Sequence, residues 1–153
     1  MGKQSAGILL YRIKNNSLQV FLVHPGGPFW KNKDAGAWSV PKGEFLDDED
    51  ALLAARREFQ EETGQTVDGK FIKLKPVKQK SGKVIYAWAV EGDIDESNIV
   101  CNIFQLEWPP KSGKITEIPE IDKAEWLDLT IAKQKINPAQ AALIEELVSL
   151  INP

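Results

Sequence analysis

Three glutamates, Glu58, Glu61 and Glu62, stand at i, i+3 and i+4 inside a stretch running from Gly43 to Gly64, GEFLDDEDALLAARREFQEETG. A helix with that spacing carries all three on one face. Like charges so placed destabilise a helix by about 0.2–0.5 kcal/mol per pair, so the face is built to receive a cation. The helix is otherwise well specified. Asp47 or Asp48 is placed to cap its start, and acids fill its first turn. Leu52, Ala55 and Phe59 form an apolar stripe beside the acidic face. Gly64 stands where a helix takes its left-handed closing residue. The donors on offer are carboxylate oxygens, with no thiolate or imidazole nearby, which favours a hard ion, Mg²⁺ or Mn²⁺, over Zn²⁺. A solvated acidic face is the plainer reading of any lone E-x-x-E-E.

Elsewhere the chain alternates strand and turn signals. Ser5 to Ile13 and Leu18 to Val23 read as a hairpin closed by Asn15-Asn16-Ser17. His24 to Gly36 (HPGGPFWKNKDAG) reads as a loop, and Trp38 to Pro41 as a short strand entering the helix segment. Thr66 to Lys75 and Val84 to Val90 read as strands joined by the basic turn from Lys78 to Lys83. The polar stretch from Glu91 to Asn98 leads to Ile103–Trp108, and Pro109 to Lys114 is a further loop. Ala124 to Leu129 is a last strand, with Thr130 placed to cap a short helix. Asn137-Pro138 opens a final helix whose stripe is Leu143, Leu147, Leu150 and Ile151. The 153 residues are expected to form one domain, with a mixed sheet between helices.

A net charge of −3 without a dominant basic patch argues against duplex nucleic acid as a partner. An acidic chain acting on an anionic substrate needs a metal to bridge the two. Cys101, the single cysteine, excludes an internal disulfide and points to a reducing, cytoplasmic setting. The start, MGKQSAGILLYR, holds only a four-residue apolar run, too short for a signal peptide or a membrane span.

The pattern G-x5-E-x7-R-E-U-x-E-E-x-G, filled here by Gly43, Glu49, Arg57, Glu58, Phe59, Glu61, Glu62 and Gly64, resembles the Nudix box of the Nudix hydrolases. Chance agreement is on the order of 10⁻⁸ per window. One position departs: the family pattern closes with an aliphatic residue where this chain has Gln65, leaving Val67 to supply the packing. The resemblance implies an α/β/α sandwich and metal-assisted cleavage of a diphosphate linked to another group. It implies that the Gly43 carbonyl, Glu58, Glu61 and Glu62 ligate Mg²⁺ or Mn²⁺. It also implies that Arg57, paired with Glu49, orients the catalytic glutamates. Water would attack phosphorus, with the metal polarising the phosphoryl oxygens and a glutamate taking the proton. Glu61 and an acid on a later loop both qualify for that last role. Glu120 is chosen for the latter because it precedes Trp126 in an E-x5-W placement seen in several family members, ahead of Glu117 and Glu107.

WSVPKGE and the strand KVIYAWAV are similar to the branch that cleaves diadenosine polyphosphates and diphosphoinositol polyphosphates. That similarity gives Lys42 and Lys83 to phosphate, and Tyr86 to a base or to the core. Trp30 with Phe29, and Trp108, offer faces for a nucleobase, or else anchor loops. His24 is read as a strand-end polar residue that could also meet phosphate. The leading expectation is a small-molecule nucleotide substrate such as diadenosine tetraphosphate, cleaved by a monomer or homodimer. The rivals are a (d)NTP, a nucleotide sugar or capped RNA, a sensor that binds nucleotide without turnover, and isoprenoid diphosphate isomerisation. No P-loop occurs, so an ATPase has no support.

Overall fold

The computed structural model describes residues 3–151. In chain order the strands and helices are β1 (Gln4–Lys14), β2 (Ser17–Pro25), β3 (Lys42–Glu44), α1 (Ala51–Thr63), β4 (Ile72–Lys73), β5 (Val77–Lys78), β6 (Val84–Glu91), β7 (Ile103–Glu107), β8 (Ile115–Pro119), β9 (Ile121–Asp128), α2 (Leu129–Lys135) and α3 (Ala141–Ile151), with a 3₁₀ turn at Pro138–Gln140 leading into α3.

The main sheet runs β4-β6-β1-β2-β9, with β3 added to β1 and β5 to β6. Only the β1–β6 pair is parallel, so the sheet is mixed. β1 is buried from Ser5 to Tyr11 because it is covered on both faces. Ala6, Ile8 and Leu10 point to one side, where Ala54, Ala55 and Phe59 of α1 pack. Leu9 and Tyr11 point to the other, against Ala132, Leu143, Ile144 and Leu147 of α2 and α3. The result is the expected α/β/α sandwich. On its other edge β1 changes partner along its length: Ser5–Gly7 pair with β3, and Tyr11–Lys14 with β2. This brings the start of the acidic helix segment to the centre of the sheet.

The elements differ from the sequence reading where tertiary pairing decides. β2 runs on through His24 and Pro25 because β9 pairs that far. Trp38 and Ser39 form only isolated bridges, to Ile136 and Val23; regular pairing starts after Pro41, at Lys42. The expected strand at Thr66–Lys75 shrinks to Ile72–Lys73, since Gly69 takes a positive φ of 145° and Pro76 cannot donate to a ladder. Ile115–Pro119, given no element in the sequence reading, pairs with β7 in a separate hairpin.

Asp50, not Asp47 or Asp48, caps α1 by accepting from the Leu53 N–H, and the first turn holds no acid. The earlier acids are used in a turn in which the Glu49 N–H donates to the Leu46 carbonyl at 3.0 Å. α2 starts after Asp128 rather than at Thr130, and the Asp128 carboxylate accepts from Gln19 instead of capping. On α3, Leu150 is exposed and Ile144 takes its place in the buried stripe. Among the described residues no helix is long and apolar enough to cross a membrane. Asp50→Ala should cost about 0.5–2 kcal/mol, while Asp47→Ala and Asp48→Ala should each stay within about 0.5 kcal/mol. Urea denaturation of the three variants measures the difference.

Candidate functional site

Three elements supply the acids. β3 and α1 meet at Gly43, where an added side chain would overlap the Glu58 carboxylate. Glycine here leaves room for the Glu58 carboxylate, whose side chain is only 14% exposed. Arg57 sits among the acids: its Nη2 lies 3.1 Å from Glu49 Oε2, and its Nη1 lies 3.1 Å from Glu58 Oε1 and 3.7 Å from Glu61 Oε1. The second oxygen of Glu49 accepts from the Leu46 N–H, so Glu49 ties the β3–α1 loop to Arg57. Glu120 comes from the single residue between β8 and β9. Its N–H donates to the Asn102 carbonyl at 2.9 Å, and its carbonyl accepts from Gly26 at 3.0 Å.

Beside these acids lies a cavity of about 300 Å³. Lys42, Glu62 and Glu120 stand in its wall. Trp30, 39% exposed, forms part of the apolar lining, and Gln79, Asn137 and Gln140 add polar groups. Of the three later acids weighed as proton acceptors, Glu120 reaches the cavity. Glu107 is used elsewhere, accepting from the Lys111 and Gly113 N–H groups to close the hairpin tip, and Glu117 is paired with Gln105 along β8.

Burial, with the neighbouring charges, shifts the titrations of the site. Burial, reinforced by Glu58 and Glu120 and opposed by Lys42, pushes Glu62 up to about 8 from 4.5. Burial and the neighbouring Glu61 raise Glu58 and Glu120. Burial and the charge of Lys83 lower Lys42. One arginine among so many carboxylates leaves net negative charge at a half-buried position, which a bound cation would offset. The all-oxygen donors suit a hard divalent ion. They are not a finished cage: among the described residues no three histidine, cysteine, aspartate or glutamate side chains converge as a ready-made metal site.

The remaining sequence candidates fall elsewhere. Lys83 pairs with Glu44 at 3.4 Å. Tyr86 packs edge-on against Phe45, with ring centroids 6.0 Å apart, on the α1 side of the sheet, and does not line the cavity. Phe29 packs edge-on against Trp108. His24 is fully enclosed and also lies outside the cavity. Gln65 replaces the family's aliphatic residue with an amide that bonds Asp95 and Asn98, while Val67 is buried in the α1-side core. Gln79, Ser39, Asn137 and Gln140 were not singled out from the sequence. They lay only within the short strand from Trp38 to Pro41, the basic turn from Lys78 to Lys83 and the start of the final helix.

The chain matches the NUDIX domain over residues 1–147, and solved structures share its fold. An Ap4A hydrolase from C. elegans, solved as a binary complex, superposes with a TM-score of 0.68 at 19% identity, over 96% of this chain and 97% of that one. The NUDIX domain of Shewanella oneidensis NrtR, complexed with ADP ribose, gives 0.69 at 17% identity, over 99% and 90%. A mutT/nudix family protein from Listeria innocua gives 0.64 at 18% identity, over 97% and 93%. No curated protein sequence matches. With the fold and the glutamate-bearing helix in place, the chain belongs to the Nudix family, hydrolases acting on acid anhydrides in phosphorus-containing substrates.

The raised Glu62 has a stability consequence. Its contribution to folding is fully present below pH 4.5 and is lost as pH rises through about 8, because ionisation is disfavoured only in the folded state. Glu62→Gln should therefore raise the Tm of the metal-free protein at pH 9 but not at pH 4, by about 2–4 °C for each kcal/mol relieved. Equal Tm changes at both pH values, read by calorimetry in EDTA, would refute the assignment.

Proposed function

We propose that this chain is a Mg²⁺- or Mn²⁺-dependent pyrophosphohydrolase of a nucleoside diphosphate-linked substrate, and that the substrate is a dinucleoside polyphosphate such as diadenosine tetraphosphate, cleaved to ATP and AMP. The observation that carries the reading is the continuity of the cavity with the acids. A Trp30-bearing space lined by apolar and amide side chains opens directly onto Glu62, Glu120 and Lys42. At about 300 Å³ it matches the small end of ligand sites, enough for one nucleoside. Its phosphate chain would then run past α1. The fold shared with an Ap4A hydrolase supports the same choice.

In this mechanism Glu58, Glu61, Glu62 and the Gly43 carbonyl hold the metal. When bound, the ion offsets charge on the phosphoryl oxygens and acidifies the attacking water. Arg57 keeps Glu58 and Glu61 oriented through its two short contacts. Glu120 takes the proton from the water, a role favoured by its raised pKa and its place in the cavity wall. Lys42, with Lys83 close enough to act on it, supplies positive charge for phosphate. Trp30 stacks on the base. Tyr86 is assigned to the core that supports β3. The proposed unit is one domain over residues 1–153, working in the cytoplasm as a monomer or homodimer; the free Cys101 supports a reducing setting.

A second reading has one observation in its favour. The NrtR NUDIX domain holds ADP ribose, so a different nucleoside diphosphate derivative, or binding without turnover, competes.

A panel of diadenosine tetraphosphate, NTPs and dNTPs, ADP-ribose, nucleotide sugars, capped RNA and diphosphoinositol phosphates, assayed with Mg²⁺ and with EDTA, tests the proposal. EDTA-sensitive conversion of diadenosine tetraphosphate well above the rest is expected. Preference for another substrate would replace the substrate, and tight binding without turnover would replace the enzyme with a sensor. Glu62→Gln should lower kcat at least about 100-fold at saturating Mg²⁺; near wild-type kcat would remove Glu62 from the ligand set. Glu120→Gln should lower kcat by about 10²–10⁴ with KM little changed. An unchanged kcat would move the base to Glu61.

A further inference from the structure

The segment His24-Pro25-Gly26-Gly27-Pro28-Phe29-Trp30 is absorbed by the reaction only at Trp30, yet its first residue is buried and engaged at both ring nitrogens. His24 is the only histidine in the chain and is 1% exposed. Its Nδ1 lies 2.7 Å from Asp122 Oδ1, and its Nε2 lies 2.6 Å from the Lys33 carbonyl. Both ring nitrogens are engaged, so neither is free for a ligand. The ring edge rests on Trp38, with centroids 5.4 Å apart.

The two partners meet different nitrogens of the ring, Asp122 from β9 and Lys33 from the loop after β2. Between β2 and β9 the register passes from His24↔Lys123 to Pro25↔Ile121, so Asp122 is the extra residue of a β-bulge. Such a bulge bends its strand and redirects side chains. Here it falls two residues after Glu120, whose carbonyl is bound by the Gly26 N–H. Gly26 passes so close to the Pro119 carbonyl that a side chain there would overlap it. On the other side, the Lys33 N–H donates to the Trp30 carbonyl at 2.9 Å, and the Trp30 N–H donates to the Gly27 carbonyl at 3.2 Å. Lys33 therefore closes the turn that presents Trp30.

We propose that His24 is a positioning residue with two separable arms: the Nδ1 bond to Asp122 sets Glu120 through the bulge, and the Nε2 bond to Lys33 sets Trp30 over the cavity. The proposal rests on the roles given above to Glu120 and Trp30. A buried polar group whose partner is removed leaves an unpaired donor or acceptor, so each arm is held while its partner is present. The arms can be cut one at a time, because an asparagine amide nitrogen stands near the Nδ1 position and a glutamine amide nitrogen near Nε2.

Kinetics of His24→Asn and His24→Gln with diadenosine tetraphosphate and Mg²⁺, and crystal structures of both variants, test this. His24→Asn keeps the Asp122 arm and should raise KM about tenfold with kcat within about twofold. His24→Gln keeps the Lys33 arm and should lower kcat about tenfold with KM within about twofold. In a Glu120→Gln background His24→Gln should have no further effect on kcat. Losses of the same kind in both variants, or a kcat loss of full size in the Glu120→Gln background, would overturn the proposal. If Glu120→Gln alone is silent, or diadenosine tetraphosphate is not turned over, the functional reading fails separately and the crystal structures decide. Displacement of Glu120 only in His24→Gln and of Trp30 only in His24→Asn upholds the two arms. Both residues unmoved overturns them. Should either variant fail to fold, Asp122→Asn, which keeps an acceptor oxygen, and Asp122→Ala replace it on the Glu120 side, with Asn expected to retain the kcat that Ala loses.

Discussion

The close approach of the Glu58 carboxylate to Gly43 is the contact from which the rest of the site takes its geometry. Gly43 is paired with Ala6 on β1, so the carboxylate is pressed against the middle of the sheet rather than left on a mobile edge. Any side chain at Gly43 would displace the Glu58 carboxylate. Arg57 can then reach Glu49, Glu58 and Glu61 together. A single guanidinium cannot neutralise this many acids, and Lys42, itself partly desolvated, does not make up the difference. The fold therefore keeps a concentration of negative charge that works against its own stability, the form of conflict that marks a functional site rather than a structural ion network.

Much of this could be read from the chain because it is local. The glutamate spacing, Gly64 and the apolar stripe are properties of one helix, and helix geometry needs no distant partner. The hairpin of β1 and β2 was legible for the same reason: Asn15 and Asn16 carry the positive φ values, 53° and 64°, that a tight turn demands. What escaped was set by tertiary contact. Gln140 bonds Val40 and Ser39 across about a hundred residues of sequence, and no spacing rule links them. Gln79 reaches the cavity from a turn that looked merely basic. Asp50 wins the capping position only because Leu46 to Glu49 form their own turn.

Lys83 and Tyr86 are three residues apart, and the fold sends them different ways. Residues three apart on a strand face opposite sides. Tyr86 is registered against Ala6 and shares its α1-side face, where Phe45 covers it. Lys83, just before β6, turns to Glu44 instead. The pair cannot act on one ligand in the same way. Trp30 and Phe29 repeat the lesson in a loop: adjacent aromatics divide, one lining the cavity and the other packing on Trp108.

The acids also differ in how they are held, and this bears on what each can do. Glu58, Glu61 and Glu62 ride on a capped helix packed along its length into the core, so their backbone positions are rigid. Glu120 sits between two strands of different sheets, held by two backbone hydrogen bonds and a bulge. Metal ligands need the first kind of support, since a loose cage binds weakly. A proton acceptor needs to meet one water in one orientation, and an acid on a short linker can be aimed by changes in β7, β8 or the His24 loop without disturbing α1. In the proposed mechanism that separation would let the helix keep its metal chemistry while the surrounding loops vary the substrate. It would also explain why the box alone names the reaction but leaves the proposed nucleotide to residues scattered from Trp30 to Gln140.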